Sequence, residues 1–173
     1  MQMSDQREIG ADPATVYAAL LDPEVLKNCV PGAQEVTGNP QDGYEATVVQ
    51  KVGPVKATFK GQVTMSDMVE NEKLTITGEG KGGAAGFAKG GAEVTLTPTE
   101  SGGTLLSYDV EAKVGGKLAQ LGSRLIDGFA KKMADQFFNN LVEQVGGAVE
   151  PEAVAEAGGE EKKGWLGKIT GRS

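Results

Sequence analysis

The side chain that most often moves protons at neutral pH is missing from this chain, which has no histidine in 173 residues. That excludes Ser-His-Asp and Cys-His nucleophile systems and any His-ligated metal site. The single cysteine, Cys29, stands just before Pro31-Gly32 with no second thiol or imidazole to activate it. It reads as a small buried hydrophobe. Acidic residues are plentiful, but Glu45, Glu79, Asp109 and Glu111 fall on the outward positions of alternating segments. No carboxylate pair points inward, so general acid–base chemistry has no clear candidates. "GEGKGG" (78–83) matches GxGxxG, yet a dinucleotide site needs a helix to follow, and here the chain returns to strand alternation. Its glycines are expected to mark a bulged hairpin. "GGKLA" (115–119) lacks the Ser or Thr that a P-loop places after its Lys. Tyr108 offers one polar handle on an inward face, fit either to hydrogen-bond a ligand carbonyl or to sit in the core with its hydroxyl at the rim.

A different chemistry stands at the C-terminus. Residues 146–161, "GGAVEPEAVAEAGGEE", hold five glutamates, four glycines, four alanines and a proline, and read as a flexible acidic linker. The chain then ends on "KKGWLGKITGRS" (162–173), where Trp165, Leu166 and Ile169 share one face of a helical turn and Lys162, Lys163, Lys168 and Arg172 surround them. Burying three large apolar side chains gains roughly 1.5–3 kcal/mol each, and each basic residue near an anionic leaflet adds about 1 kcal/mol. Ordering the segment costs ~1 kcal/mol or more per residue. The remainder suits weak, reversible, salt-sensitive membrane contact. Docking in a groove on a partner protein and a terminus with one chance tryptophan are the alternatives.

The elements that must carry these residues are legible as changes of period. The formal net charge of −7 argues against nucleic acid as the main partner, and 39% hydrophobic residues suit one globular domain. No run of about 18 apolar residues occurs, and the N-terminus shows no signal-peptide pattern; with one cysteine, Cys29, no internal disulfide can form, and a cytoplasmic protein is expected. Residues 12–29 read as two short helices, with Asp12-Pro13 and Asp22-Pro23 as cap and first-turn pairs. From about 43 to 114 the period is two: Val55, Ala57, Phe59, Gly61, Val63 and Met65 alternate with polar residues, and the pattern repeats through 73–80, 91–98 and 104–114. Short turns between them imply an antiparallel meander. From Lys117 to Val145, apolar residues at steps of three or four predict one helix of about 29 residues. The fold class is α+β, with the sheet curled around that helix. Inward positions are often small (Ala57, Gly61, Gly78, Gly80, Ala88, Gly90, Ala92, Ala112). They allow either a tight sheet–helix approach or an internal apolar cavity lined by Phe59, Met65, Tyr108, Phe129 and Met133.

The segments "DPEVLKNCVPGAQEV" (22–36), "VGPVKATFKGQV" (52–63), "GEGKGGAAGFAKGGAEVTL" (78–96) and "GGKLAQLGSRLIDGFAKKMADQFFNNL" (115–141) resemble the carbon monoxide dehydrogenase CoxG family of the START-like (SRPBCC) superfamily. The resemblance implies a helix-grip domain over residues 1–145: a first strand, two short helices, a curved antiparallel sheet and a long C-terminal helix. It further implies a non-catalytic accessory protein that takes an apolar ligand and links a molybdenum hydroxylase-type CO dehydrogenase to the inner face of the cytoplasmic membrane. A lipophilic quinone such as menaquinone suits that setting. The candidate ligand-binding residues are Phe59, Val63, Met65, Leu74, Ile76, Phe87, Ala92, Tyr108, Leu121, Leu125, Phe129 and Met133, and the candidate membrane-binding residues are Lys162, Lys163, Trp165, Leu166, Lys168 and Ile169. A recruitment adaptor without a ligand is the alternative. An aromatase- or cyclase-like enzyme, as in other helix-grip proteins, is disfavoured by the missing acid–base residues.

Overall fold

The computed structural model describes residues 1–146. Strand β1 (Gln2–Ile9) leads into helices α1 (Pro13–Leu21) and α2 (Pro23–Cys29). Each helix starts as its sequence requires: the Asp12 carboxylate accepts from the Thr15 backbone N–H at 2.8 Å, and Asp22 accepts from that of Glu24 at 2.9 Å. Six strands follow, β2 (Ala33–Asn39), β3 (Gly43–Val52), β4 (Val55–Val69), β5 (Lys73–Lys81), β6 (Phe87–Pro98) and β7 (Thr104–Gly115), and then helix α3 (Ser123–Gln144). The sheet runs β1-β7-β6-β5-β4-β3-β2, antiparallel at every step. Strand β2 lies where the alternation had suggested only a turn after Pro31-Gly32. Its residues do not alternate cleanly, because it is an edge strand whose pairing with β3 shifts between Ala33 and Glu35.

Two expectations about the backbone need correction. The β5–β6 connection carries no bulge: pairing is continuous from Lys73↔Thr95 to Lys81↔Phe87, and the turn is closed by a single 3₁₀ turn, Gly83–Ala85. The bulge lies in β4 instead, between Ser66 and Val69, where Asp67 adopts φ 49°. The expected 29-residue helix is also interrupted. Gly116–Leu121 forms a 3₁₀ segment, Gly122 takes φ 90°, and α3 begins only at Ser123 with 22 residues, about 33 Å. A left-handed φ cannot be continued into a right-handed helix, so the apolar period runs through the glycine while the helix does not.

The solid core occupies one part of the molecule, under α1, α2 and the C-terminal half of α3. Ile9, Val16, Leu20, Cys29, Leu74, Leu106 and Leu141 are essentially inaccessible there, and each large one contributes roughly 1.5–3 kcal/mol by leaving water. Tyr108 stacks on Phe138 at 4.9 Å between ring centroids, and Arg7 lies 5.5 Å above the same Phe138 ring while pairing with Asp135. Polar ties fix the helices to this core: Asn140 donates its side-chain amide to the Cys29 carbonyl at 3.0 Å, and the Tyr44 hydroxyl donates to the Leu21 carbonyl at 2.5 Å.

Candidate ligand cavity

The N-terminal half of α3 faces the sheet across a hole of about 340 Å³. Met1, Met3, Val48, Gln50, Val52, Phe59, Gly80, Ala88, Val110, Ala112 and Val114 wall it from the sheet side. Leu118, Ile126, Phe129, Ala130 and Met133 close it from the helix side. The strand residues are there because the period-two pleat turns them inward. The hole exists because Gly80, Ala88 and Ala112 meet Ala130 with no bulk between them. Phe59, Phe129 and Met133 stay only half-buried. Elsewhere small residues are required by the neighbouring strands and not by the helix. A Cβ on Gly90 would sit 2.2 Å from the Glu111 carbonyl oxygen, and one on Gly61 would sit 3.0 Å from that of Glu79. The small inward residues therefore border the hole at Gly80, Ala88 and Ala112, while Gly61 and Gly90 are held small by adjacent strand backbone.

Among the described residues Gln50 is the one polar side chain in the wall, and its amide nitrogen donates to the Pro31 carbonyl. Its polar end is thereby occupied by the α2–β2 connection, and its methylenes form wall. The α-amino group of Met1 donates to the Ala112 carbonyl at 3.0 Å. No ionisable side chain among the described residues faces the hole, so the cavity offers burial without acid–base machinery. Nor do any three described His, Cys, Asp or Glu side chains group as metal ligands. No helix among the described residues is long and apolar enough to cross a membrane.

Of the twelve candidate ligand residues, the structure brings Phe59, Phe129 and Met133 together in the wall. Met65, Ile76 and Ala92 point inward but pack against the core, and Leu74 is part of it. Val63 is half-buried opposite Tyr44 and Gly78. Tyr108 is 4% exposed within the core and away from the wall, where burial first, then the Asp5 carboxylate, pushes its phenol above the usual range. Leu121 is half-buried in the 3₁₀ segment. Two positions do not face the interior at all. Phe87 is 38% exposed on the outer face, its ring lying where a side chain on Gly115 would be, and Leu125 is 39% exposed against Gly53. Cys29 is fully buried, and desolvation pushes its thiol up to about 11, so it stays an inert neutral group. The six tail residues from Lys162 to Ile169 lie outside the described residues.

The sequence pattern did not disclose Val48, Gln50 and Val52, because the adjacent Val48-Val49 pair hides the alternation of β3. Ile126 falls off the predicted apolar stripe because Leu118 and Leu121, in the 3₁₀ segment before Gly122, set that stripe's phase. Ile126, Phe129, Ala130 and Met133 are spaced as one helical face, the signal that would have found them.

A seven-stranded antiparallel sheet gripping a C-terminal helix, with two short helices after the first strand and an apolar hole beneath the grip, is the START-like helix-grip arrangement. Solved structures agree. A conserved protein from Geobacillus kaustophilus is 26% identical, with a TM-score of 0.79 over 84% of this chain and 95% of its own. A START superfamily protein from Mycobacterium smegmatis shares 17% identity, with a TM-score of 0.62 over 84% of this chain and 97% of its own. A protein from Thermus thermophilus gives 15% identity and a TM-score of 0.63 over 84% and 97%. No curated protein matches the chain. The chain belongs to the carbon monoxide dehydrogenase CoxG family, whose model matches residues 6–146.

Proposed function

We propose that this protein is a non-catalytic accessory of a molybdenum hydroxylase-type CO dehydrogenase and that it carries an apolar ligand, a lipophilic quinone such as menaquinone, in the cavity beneath α3. One observation carries the reading: an apolar hole of about 340 Å³ stands in the folded domain where a solid core would have been more stable. Leaving it empty forgoes the dispersion and burial that larger side chains would have supplied, and a bound ligand restores them. The volume lies at the small end of the usual range for small-molecule sites, about 300–1,000 Å³. It suits a ring system or a short stretch of isoprenoid chain, with the remainder of a long ligand outside. The family name supplies the partner, and the basic tail beyond the described residues would keep the protein near the membrane where such ligands reside.

The test is mass spectrometry of an organic extract from the full chain, purified gently from a quinone-producing host and again after incubation with menaquinone. Stoichiometric ligand in either extract supports the reading. Empty extracts from both preparations refute it and favour a recruitment adaptor, for which loss of the tail, and not of the cavity, would mislocalise the enzyme.

A further inference from the structure

The charge of the folded domain is sorted by end. Antiparallel pairing puts the β3–β4, β5–β6 and β7–α3 connections at one end of the sheet, with the α2–β2 turn beside them, and the β1–α1, β2–β3, β4–β5 and β6–β7 connections at the other. Residues 51–56 carry Lys51 and Lys56, residues 81–89 carry Lys81 and Lys89, and residues 113–125 carry Lys113, Lys117 and Arg124; these three stretches contain no acid. The opposite connections, 8–12, 39–44, 66–73 and 98–104, hold seven acids against one cation, Lys73. On a chain of net charge −7, an end whose turns carry only cations, with Glu79 opposite Lys89 and Glu111 and Asp127 just behind them, is a local inversion of the molecule's field. All seven cations are exposed, and none forms an ion pair among the described residues.

The same end carries Phe87 and Leu125, two of the three exposed large hydrophobic side chains among the described residues. Its tips are small (Gly53-Pro54, Gly82-Gly83-Ala84), so the backbone can come close to whatever it meets. The cavity lies immediately beneath. Wall residues Val52, Gly80, Ala88, Val114 and Leu118 are the sequence neighbours of Lys51, Lys81, Lys89, Lys113 and Lys117.

We infer that this basic end docks on an anionic lipid bilayer, so that the cavity exchanges its ligand with the membrane without passing it through water. The inference rests on the cavity being a ligand site, and it assigns the folded domain a membrane contact separate from the C-terminal tail. Lysine stems let the ammonium groups reach the headgroup layer while Phe87 and Leu125 enter the acyl boundary. The acidic opposite end, repelled by the same surface, orients the molecule with the cavity toward the lipid. An acidic protein partner would satisfy the charge alone; exposed apolar groups set between lysines directly over an apolar hole favour a lipid phase.

The test is co-sedimentation of the full chain with phosphatidylcholine vesicles, with and without phosphatidylglycerol. The rim variant Lys51→Glu/Lys56→Glu/Lys113→Glu/Lys117→Glu is compared with a control of identical net charge, Lys27→Glu/Lys73→Glu/Lys131→Glu/Lys132→Glu. Each basic residue at an anionic surface contributes about fivefold to partitioning, so the rim variant should lose about a hundredfold or more on phosphatidylglycerol vesicles. The control should lose only a few-fold, and added salt should weaken the wild type. Equal losses in both variants, or a rim variant that binds like the wild type because the tail carries the contact, overturn the inference. So does a wild type that ignores anionic vesicles while binding an acidic protein. As a measurement that does not alter charge, a polarity-sensitive dye on Ala84→Cys should shift to the blue on these vesicles, while one on Ser101→Cys should not; the reverse overturns the inference. Buried Cys29 leaves the new thiol to react selectively. Menaquinone uptake without vesicles separates the two readings: uptake without docking refutes only this one, and docking without uptake refutes the cavity's role.

Discussion

Replacing Ala130 by Leu asks directly whether the space beneath α3 is hollow. Ala130 lies on the cavity-facing side of α3, half-buried, across from the small residues of the sheet. The substitution adds three carbons to a helix position where Leu is nearly as good a helix former as Ala. Each newly buried carbon gains about 0.8 kcal/mol, and fixing the leucine rotamer costs about 0.5–1 kcal/mol. If the added atoms enter the hole, the domain gains roughly 1–2 kcal/mol, or about 2–6 °C in Tm for a domain of this size. If the same position faced a filled core, overpacking would cost about 1–3 kcal/mol, so the two cases differ in sign as well as size. Urea unfolding by circular dichroism reads the difference as a change in midpoint at constant slope. The variant should also lose most of the extra stability that menaquinone confers on the wild type. A midpoint lowered by the equivalent of about 1 kcal/mol or more refutes the reasoning, because it would mean that Ala130 is already in close contact.

Other outcomes follow from particular residues. Gly90→Ala places a Cβ 2.2 Å from the Glu111 carbonyl oxygen and 2.8 Å from the Ala112 Cα, backbone that cannot yield cheaply, and should destabilise by about 2–3 kcal/mol, whereas Gly78→Ala, with nothing nearer than 3.5 Å, should be nearly neutral in the same urea assay. Phe138→Ala removes the stacking partner of Tyr108 and should cost about 3–5 kcal/mol. Gly122→Ala imposes φ 90° on a residue with a Cβ and should cost about 1–2 kcal/mol without lengthening α3, which helical ellipticity would show. The folded-state pKa of Cys29 is raised from 9.0 to about 11. Its contribution is therefore intact below the unfolded pKa and is lost as pH rises between those values, by up to about 1.4 kcal/mol per pH unit. Cys29→Ala should flatten that part of the urea-midpoint profile.

What the sequence could and could not disclose follows from what each pattern encodes. Alternation from Val55 to Met65 reports which face of a strand is inward, and it was right for every residue of that stretch. It carries no information about position along the sheet, so Leu74 and Phe59 look equivalent although one is core and the other is cavity wall. Caps at Asp12 and Asp22 were legible because their chemistry is local. The break at Gly122 was not, because Leu118, Leu121 and Leu125 keep an apolar period across it. A 3₁₀ segment has three residues per turn, so the phase inherited from it put Leu125 inside and left Ile126 out. Phe87 shares parity with Lys89 and Glu93, which puts it on the outer face of β6.

The division of this domain into a filled part and an empty part also bears on how it responds to compression. The hole of about 340 Å³ is open on one side, so only its poorly hydrated depth adds to the volume decrease on unfolding, usually about 20–100 mL/mol. An apolar wall gives water few hydrogen bonds, so the deepest part of the space is poorly filled by solvent and is eliminated when the chain opens. Hydrostatic pressure should therefore weigh more on this domain than on a variant whose hole is filled, such as Ala130→Leu. Occupancy of the hole would then register as resistance to pressure, a readout that needs neither a chromophore nor knowledge of the ligand.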